Sequence, residues 1–130
     1  MVIQTENNKR LVRLVFEQGI NQQRLELVDT LFSAHFIDHS TPDQLPGTQG
    51  VKDYFAAIYT GFPDMQVTID DLIAEGDKIA VRTTWRGTHR GTYAHIEPTG
   101  NQVVRTMLQI FRIVDDKIAE EWNEGAELLA

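Results

Sequence analysis

Hydrophobic and polar positions change their period along this chain, and the changes mark out its elements. From Glu6 to Gln18 the apolar residues Leu11, Val12, Leu14, Val15 and Phe16 sit among Lys9, Arg10, Arg13 and Glu17. That grouping gives a helix one apolar side, and Gly19 is expected to stop it. A second helix is expected from Gln23 to Phe32, where Leu25, Leu27, Val28 and Leu31 alternate with charges, and Phe32 to His39 reads as an exit into a short strand. Ser40 to Gly50, holding Pro42, Pro46, Gly47 and Gly50, is a loop by composition. Helical spacing resumes from Val51 to Tyr59 through Tyr54, Phe55 and Ile58, and Gly61-Phe62-Pro63 ends it.

From Met65 onward the period is two. Met65 to Ala74 and Lys78 to Arg90 flank a Gly76-Asp77 turn and are expected to pair antiparallel, with Ile79, Val81, Thr83 and Trp85 on one face. A polar excursion, Thr88 to Asn101, precedes two more β-patterned runs, Val103 to Phe111 and Ile118 to Glu124, joined through Asp115-Asp116 as a long hairpin. Helices followed by a meander predict an α+β fold in which the N-terminal helices pack on one side of a strongly curved antiparallel sheet and close the open end of a cone. No repeat, linker or low-complexity tract interrupts the chain, so residues 1–130 are expected to form one domain.

Composition narrows the chemistry. Zero cysteines exclude disulfides, thiolate nucleophiles and the usual structural zinc cages. Twelve basic against nineteen acidic residues give a net charge of −7, with Lys and Arg scattered, which argues against nucleic acid or an anionic membrane as a partner. No apolar run approaches the ~20 residues that cross a bilayer. Met1 to Arg10 is polar and has no leader pattern, so a soluble, cytoplasmic protein is expected. A glycine-rich phosphate loop is absent, and Ser33 and Ser40 lie outside any G-x-S-x-G, so neither a nucleotide cofactor nor serine hydrolysis is expected. His89 and His95 stand six residues apart with no completing ligand set; no metal is expected.

The final hairpin carries the candidate site. With Asp115-Asp116 as a two-residue turn, Val114 faces Lys117, and unbroken counting pairs Gln109 with Trp122, Leu108 with Asn123 and Ile110 with Glu121. One face then holds Ile118, Glu120, Trp122 and Glu124 with Phe111, Gln109 and Met107; the other holds Ala119, Glu121 and Asn123 with Leu108, Ile110 and Thr106. A bulge would swap them locally. The Glu121/Asn123 face is favoured as the lumen, leaving Trp122 and Phe111 for the opposite face and a subunit interface. Glu121 in an apolar cone would have its carboxylate destabilised and its pKa raised toward neutrality; the competing reading is a solvated rim glutamate.

Other candidates are His39, beside Asp38 at the mouth of the proline-rich loop, as a base or hydrogen-bond donor, or simply a loop tie. His35, between Ala34 and Phe36, reads as a partly buried structural residue. Trp85 and Tyr54 are candidate walls for a planar ligand, or core.

Several strings are together characteristic: Phe36-Ile-Asp-His39, Gly50-Val51-Lys52 to Phe55, Phe62-Pro63-Asp64 with Val67-Thr68-Ile69, and Ala74-Glu75-Gly76-Asp77. Arg86-Gly87-Thr88-His89, Pro98-Thr99-Gly100, and Ile110-Phe111-Arg112 through Ile118 and Glu120 to Trp122 complete the set. Through them the chain resembles the SnoaL-like polyketide or ester cyclase family. The resemblance implies the nuclear transport factor 2-like cone, commonly dimeric. It also implies a cofactor-free and metal-free intramolecular aldol condensation on an aromatic polyketide ester, with an acidic residue as general acid/base. Relatives often carry that acid just after the last-strand tryptophan or four positions beyond it, places taken here by Asn123 and Ala126. Proton transfer would then fall to Glu121, Glu124 or His39.

Two functions follow as expectations. The first is cofactor-free acid/base chemistry on a small hydrophobic carbonyl compound, with Glu121 or His39 as base and Asn123 or Gln109 donating to the enolate oxygen. The second is a non-catalytic module that binds a small hydrophobic molecule in the same cone. A third, water addition to an epoxide, would need paired carboxylates, and Asn123 argues against it. A homodimer is expected in each case.

Overall fold

The computed structural model describes residues 3–125 and 127–129. Helix α1 (Gln4–Leu14) runs on into a π-helical turn, Val15–Ile20, closed by the i→i+5 bond from the Asn21 amide to the Phe16 carbonyl at 2.9 Å. Gly19 therefore does not stop the helix. A Cβ there would sit 3.0 Å from the Phe55 ring, so the glycine is required by close approach of another helix. Helix α2 is only Leu27–Leu31, shorter than the apolar pattern predicts, because the chain passes straight into strand β1 (Phe32–Asp38). Helix α3 (Thr48–Gly61) starts before Gly50, where a Cβ would lie 1.9 Å from the Leu45 carbonyl oxygen. That glycine belongs to the helix and lets the proline-rich loop fold back on it.

Four further strands follow: β2 (Gln66–Glu75), β3 (Lys78–Thr88), β4 (Gln102–Val114) and β5 (Lys117–Gly125). The sheet order is β1-β5-β4-β3-β2, so it is unclosed, with β1 and β2 at its edges. Strand β1 runs parallel to β5 and places Asp38 beside Glu121; all other pairs are antiparallel. The concave face is apolar. Phe16 meets both Trp85 and Phe111 edge-on, at centroid distances of 6.1 and 6.2 Å, while Phe55 of α3 packs edge-on against Phe32 at 6.2 Å. These contacts press the helices onto one side of the sheet, as the α+β reading requires.

The β4–β5 hairpin turns at Asp115 and Asp116, with φ of 50° and 59°, a type I′ geometry. Val114 faces Lys117 as expected, but the register then shifts between Arg112 and Ile113. Ala119 is the extra residue, for Ile113 pairs with Ile118 and Arg112 with Glu120. Beyond it the partners are Phe111 with Glu121, Ile110 with Trp122 and Gln109 with Asn123, which corrects the pairing obtained by unbroken counting. Phe111 is consequently interior at 1% exposure and does not share a face with Trp122, while Leu108 and Ile110 point outward at 50% and 38%.

Candidate active site

The helices and sheet enclose a cavity of about 430 Å³. Its walls are largely aromatic, from Phe16, Phe36, Phe55, Trp85 and Phe111, and its polar residues gather where β1, β4 and β5 run side by side. Glu121, Asn123 and Gln109 all line it, as do Trp85 and Tyr54. The bulge at Ala119 explains this. It brings Ile118 and Glu121, three residues apart, to the same face, and it places Gln109 opposite Asn123 on that face.

Asp38 is the group that sequence reasoning passed over. It ends β1, pairs with Glu121 across the parallel ladder and also lines the cavity. Its Oδ1 accepts from the Ser40 backbone amide at 2.9 Å and its Oδ2 from the Thr41 hydroxyl at 3.2 Å. The Asn123 side-chain amide donates to both oxygens, at 3.3 and 3.2 Å. Gln109, 6% exposed, donates through Nε2 to Asn123 Oδ1 at 2.9 Å and to Glu121 Oε2 at 3.3 Å. The Gln109 amide hydrogens and the Asn123 contacts are thus directed at neighbouring side chains, not at the cavity centre.

Glu121 feels two raising influences. Removal from bulk water disfavours its charge most, and the Asp38 carboxylate adds like-charge repulsion; the Asn123 and Gln109 amides pull the other way, and the net result is a pKa pushed up to about 8. Tyr54, reaching in from α3, has its phenol raised well above the ordinary value, by burial first and then by Tyr93, Glu121 and Asp38. It stays a neutral hydroxyl throughout the neutral range. Trp85 donates its indole N–H to Thr83 Oγ1 at 3.0 Å, so toward the cavity it offers only its ring.

His39 stands elsewhere. Its ring stacks on Trp122 at 4.9 Å and 12°, and its Nε2 lies 3.4 Å from Glu120 Oε1, on the outer side of β5 and away from the cavity lining. His35 is exposed, not partly buried, because the irregular β1 turns it outward. His89 is fully buried, face to face with Phe62, with Nδ1 3.1 Å from Thr99 Oγ1. Glu124 lines the cavity from an exposed position. Ala126, the second departure from the relatives' acidic pattern, lies outside the described residues. Among the described residues no three His, Cys, Asp or Glu side chains gather as a metal-binding group, and no helix is long and apolar enough to cross a membrane.

A cavity with a desolvated carboxyl, the neutral phenols of Tyr54 and Tyr93 and, among the described residues, no cationic side chain in its wall is suited to exchanging a proton with an uncharged molecule. No curated protein matches the sequence. Among solved structures the chain is similar to TsrD from Streptomyces laurentii (TM-score 0.87, 22% identity, 95% of this chain and 91% of that one). It is also similar to IdmH, a proposed polyketide cyclase from Streptomyces antibioticus (TM-score 0.75, 28% identity, 91% of each chain). A third likeness is AclR, a proposed hydroxylase from Streptomyces galilaeus (TM-score 0.82, 24% identity, 94% of this chain and 76% of that one). These share the nuclear transport factor 2-like fold. The model of the SnoaL-like polyketide cyclase family matches residues 10–127, and the chain belongs to that family.

Proposed function

We propose that the protein is a cofactor-independent cyclase- or isomerase-type enzyme that moves a proton on a small apolar, polyketide-like carbonyl compound. The observation that carries this reading is Glu121, a carboxyl inside the cavity with its pKa raised to about 8. Near neutrality such a group is present in both protonation states, the condition under which one residue serves as acid and as base. Glu121 as carboxylate takes a proton from the carbon next to the carbonyl, and the bonding pair moves onto the carbonyl oxygen. Tyr54 donates a hydrogen bond to that developing enolate, a role left open by Asn123 and Gln109, whose amides are engaged with Asp38 and Glu121. Carbon–carbon closure or proton return follows from the same enolate. Trp85 supplies a flat wall for the ligand. IdmH, as a proposed cyclase, supports the cyclase side of this reading.

The test is exchange of the α-hydrogens of 2-tetralone in D2O, followed by proton NMR. Protein-dependent exchange that disappears in Glu121→Gln supports the assignment, whereas exchange that survives the substitution overturns it. A binding module is the second reading, favoured by Asn123 at a position where relatives often carry the acid. Saturable retention of 2-tetralone without exchange is its signature.

The same reading includes a homodimer. On the outer face of β4, Val104, Leu108 and Ile110 are 54%, 50% and 38% exposed, and Ile110 pairs with Trp122. An exposed apolar strip of this kind, interrupted by Thr106, fits a second copy of the chain. A monomeric mass by light scattering at micromolar concentration contradicts it.

A further inference from the structure

The hydrogen bonds around Glu121 have a direction. Both Asp38 oxygens act as acceptors, from the Ser40 amide, the Thr41 hydroxyl and the Asn123 side chain, so Asn123 turns its nitrogen end toward them. The Asn123 backbone is held in place at the same time, its amide donating to Ser40 Oγ at 2.7 Å and its carbonyl accepting from that hydroxyl at 3.2 Å. With its nitrogen committed to Asp38, Asn123 presents Oδ1 to Gln109, which must answer with Nε2 at 2.9 Å. The second hydrogen of that nitrogen goes to Glu121 Oε2 at 3.3 Å.

One cost of this order is visible. Gln109 Oε1 is buried with no hydrogen-bond partner, an unfavourable state for a carbonyl. Turning the amide over would relieve it only by setting that oxygen against Asn123 Oδ1 and Glu121 Oε2. The unpartnered oxygen is therefore a mark of an orientation imposed from Asp38.

We propose that Asp38 is a positioning residue for Glu121, acting through the Asn123 and Gln109 amides to keep Oε2 an acceptor and leave the carboxyl proton on Oε1, toward the cavity. This rests on the reading of Glu121 as the proton-exchanging group. The Gln109 amide ends on Oε2, which leaves Oε1 to carry the proton toward a ligand. The other titratable groups facing this point are Asp38 from β1, Tyr54 from α3, Tyr93 from the β3–β4 connection, Glu124 from β5 and Glu127 beyond it. None is a cation, so no ion pair competes with the amide relay in setting the charge on Glu121.

The experiment needs no substrate. The Glu121 carboxyl is titrated by carbon-13 NMR in the wild type, Gln109→Leu, Asn123→Leu and the double variant. Gln109→Leu removes the donor that favours the ionised form, so the midpoint rises by about half a unit to one unit. Asn123→Leu removes an amide that itself favours the ionised Glu121 and also frees Gln109 to turn, so it raises the midpoint by at least as much. The double variant then shifts no further than Asn123→Leu alone, since losing Asn123 already breaks the relay to Gln109. An unchanged midpoint in Asn123→Leu, or shifts that simply add, overturns the proposal. If Asn123→Leu does not fold, the wild-type Gln109 side-chain amide decides the matter. The relay requires its resonances to move with the Glu121 midpoint, and resonances indifferent to it overturn the relay. Loss of tetralone exchange in Glu121→Gln with additive titration shifts keeps Glu121 as the base and removes the relay; the converse result keeps the relay and removes the chemistry.

Discussion

Glu120 and Glu121 are adjacent on one strand and live in opposite environments. Glu120 points outward, where Arg112 Nε donates to its Oε2 at 2.6 Å and the His39 ring stands 3.4 Å from its other oxygen. Arg112 first, and His39 with it, holds its carboxyl below the ordinary value. Glu121 points inward to an aromatic cavity, with a second carboxylate for a neighbour and only amides to offset it, and its pKa moves up instead. Residue type is the same in both places. Which side of the sheet each occupies decides whether the group is a solvent-screened ion or a proton carrier.

The largest expected consequence is on stability. Between about pH 4.5 and 8 the folded protein holds a proton on Glu121 that the unfolded chain has released, so the folded state loses stability as pH rises through that window, by at most about 5 kcal/mol. Glu120 has the opposite sign. Its contribution is present above its unfolded pKa and fades only as pH falls through its lowered folded value. Thermal unfolding from pH 5 to pH 9 is expected to show a falling melting temperature in the wild type and a nearly flat one in Glu121→Gln. A wild-type curve that rises over this range breaks the comparison.

Truncations sharpen it next. Phe111→Ala, opposite Glu121 on the inner face, is expected to cost roughly 3–5 kcal/mol by urea denaturation, as large core aromatics do. Ile110→Lys, one residue away on the outer face, should leave monomer stability within about 0.5 kcal/mol and halve the mass seen by light scattering. On activity, Glu121→Gln should lower tetralone exchange by roughly 100-fold or more. The smallest effects belong to the outer face. His39→Ala should leave exchange unchanged, and Arg112→Ala should barely move the urea midpoint, because solvent-screened ion pairs stabilise weakly.

Sequence made some of this legible and not the rest, for physical reasons. The β4–β5 hairpin could be read because alternation survives on both strands and the two aspartates at the turn tolerate positive φ. The bulge could not, since Ala119 carries no glycine or proline signal and only the shift in strand pairing betrays it. Glu121, Asn123 and Gln109 were accordingly nameable as candidates while their partners were not. Asp38 was hidden by distance along the chain. Its meeting with Glu121 depends on a parallel pairing between elements 83 residues apart, through a β1 strand too irregular to show a register. His39 drew notice as a titratable residue beside that aspartate, yet the next position along a strand faces the other way.

The central claim is tested most directly by following the Glu120 and Glu121 carboxyl resonances of the wild-type protein through a pH titration by carbon-13 NMR. The account predicts two separated midpoints, Glu121 near 8 and Glu120 below 4.5. Two overlapping titrations in the ordinary carboxylate range would contradict it.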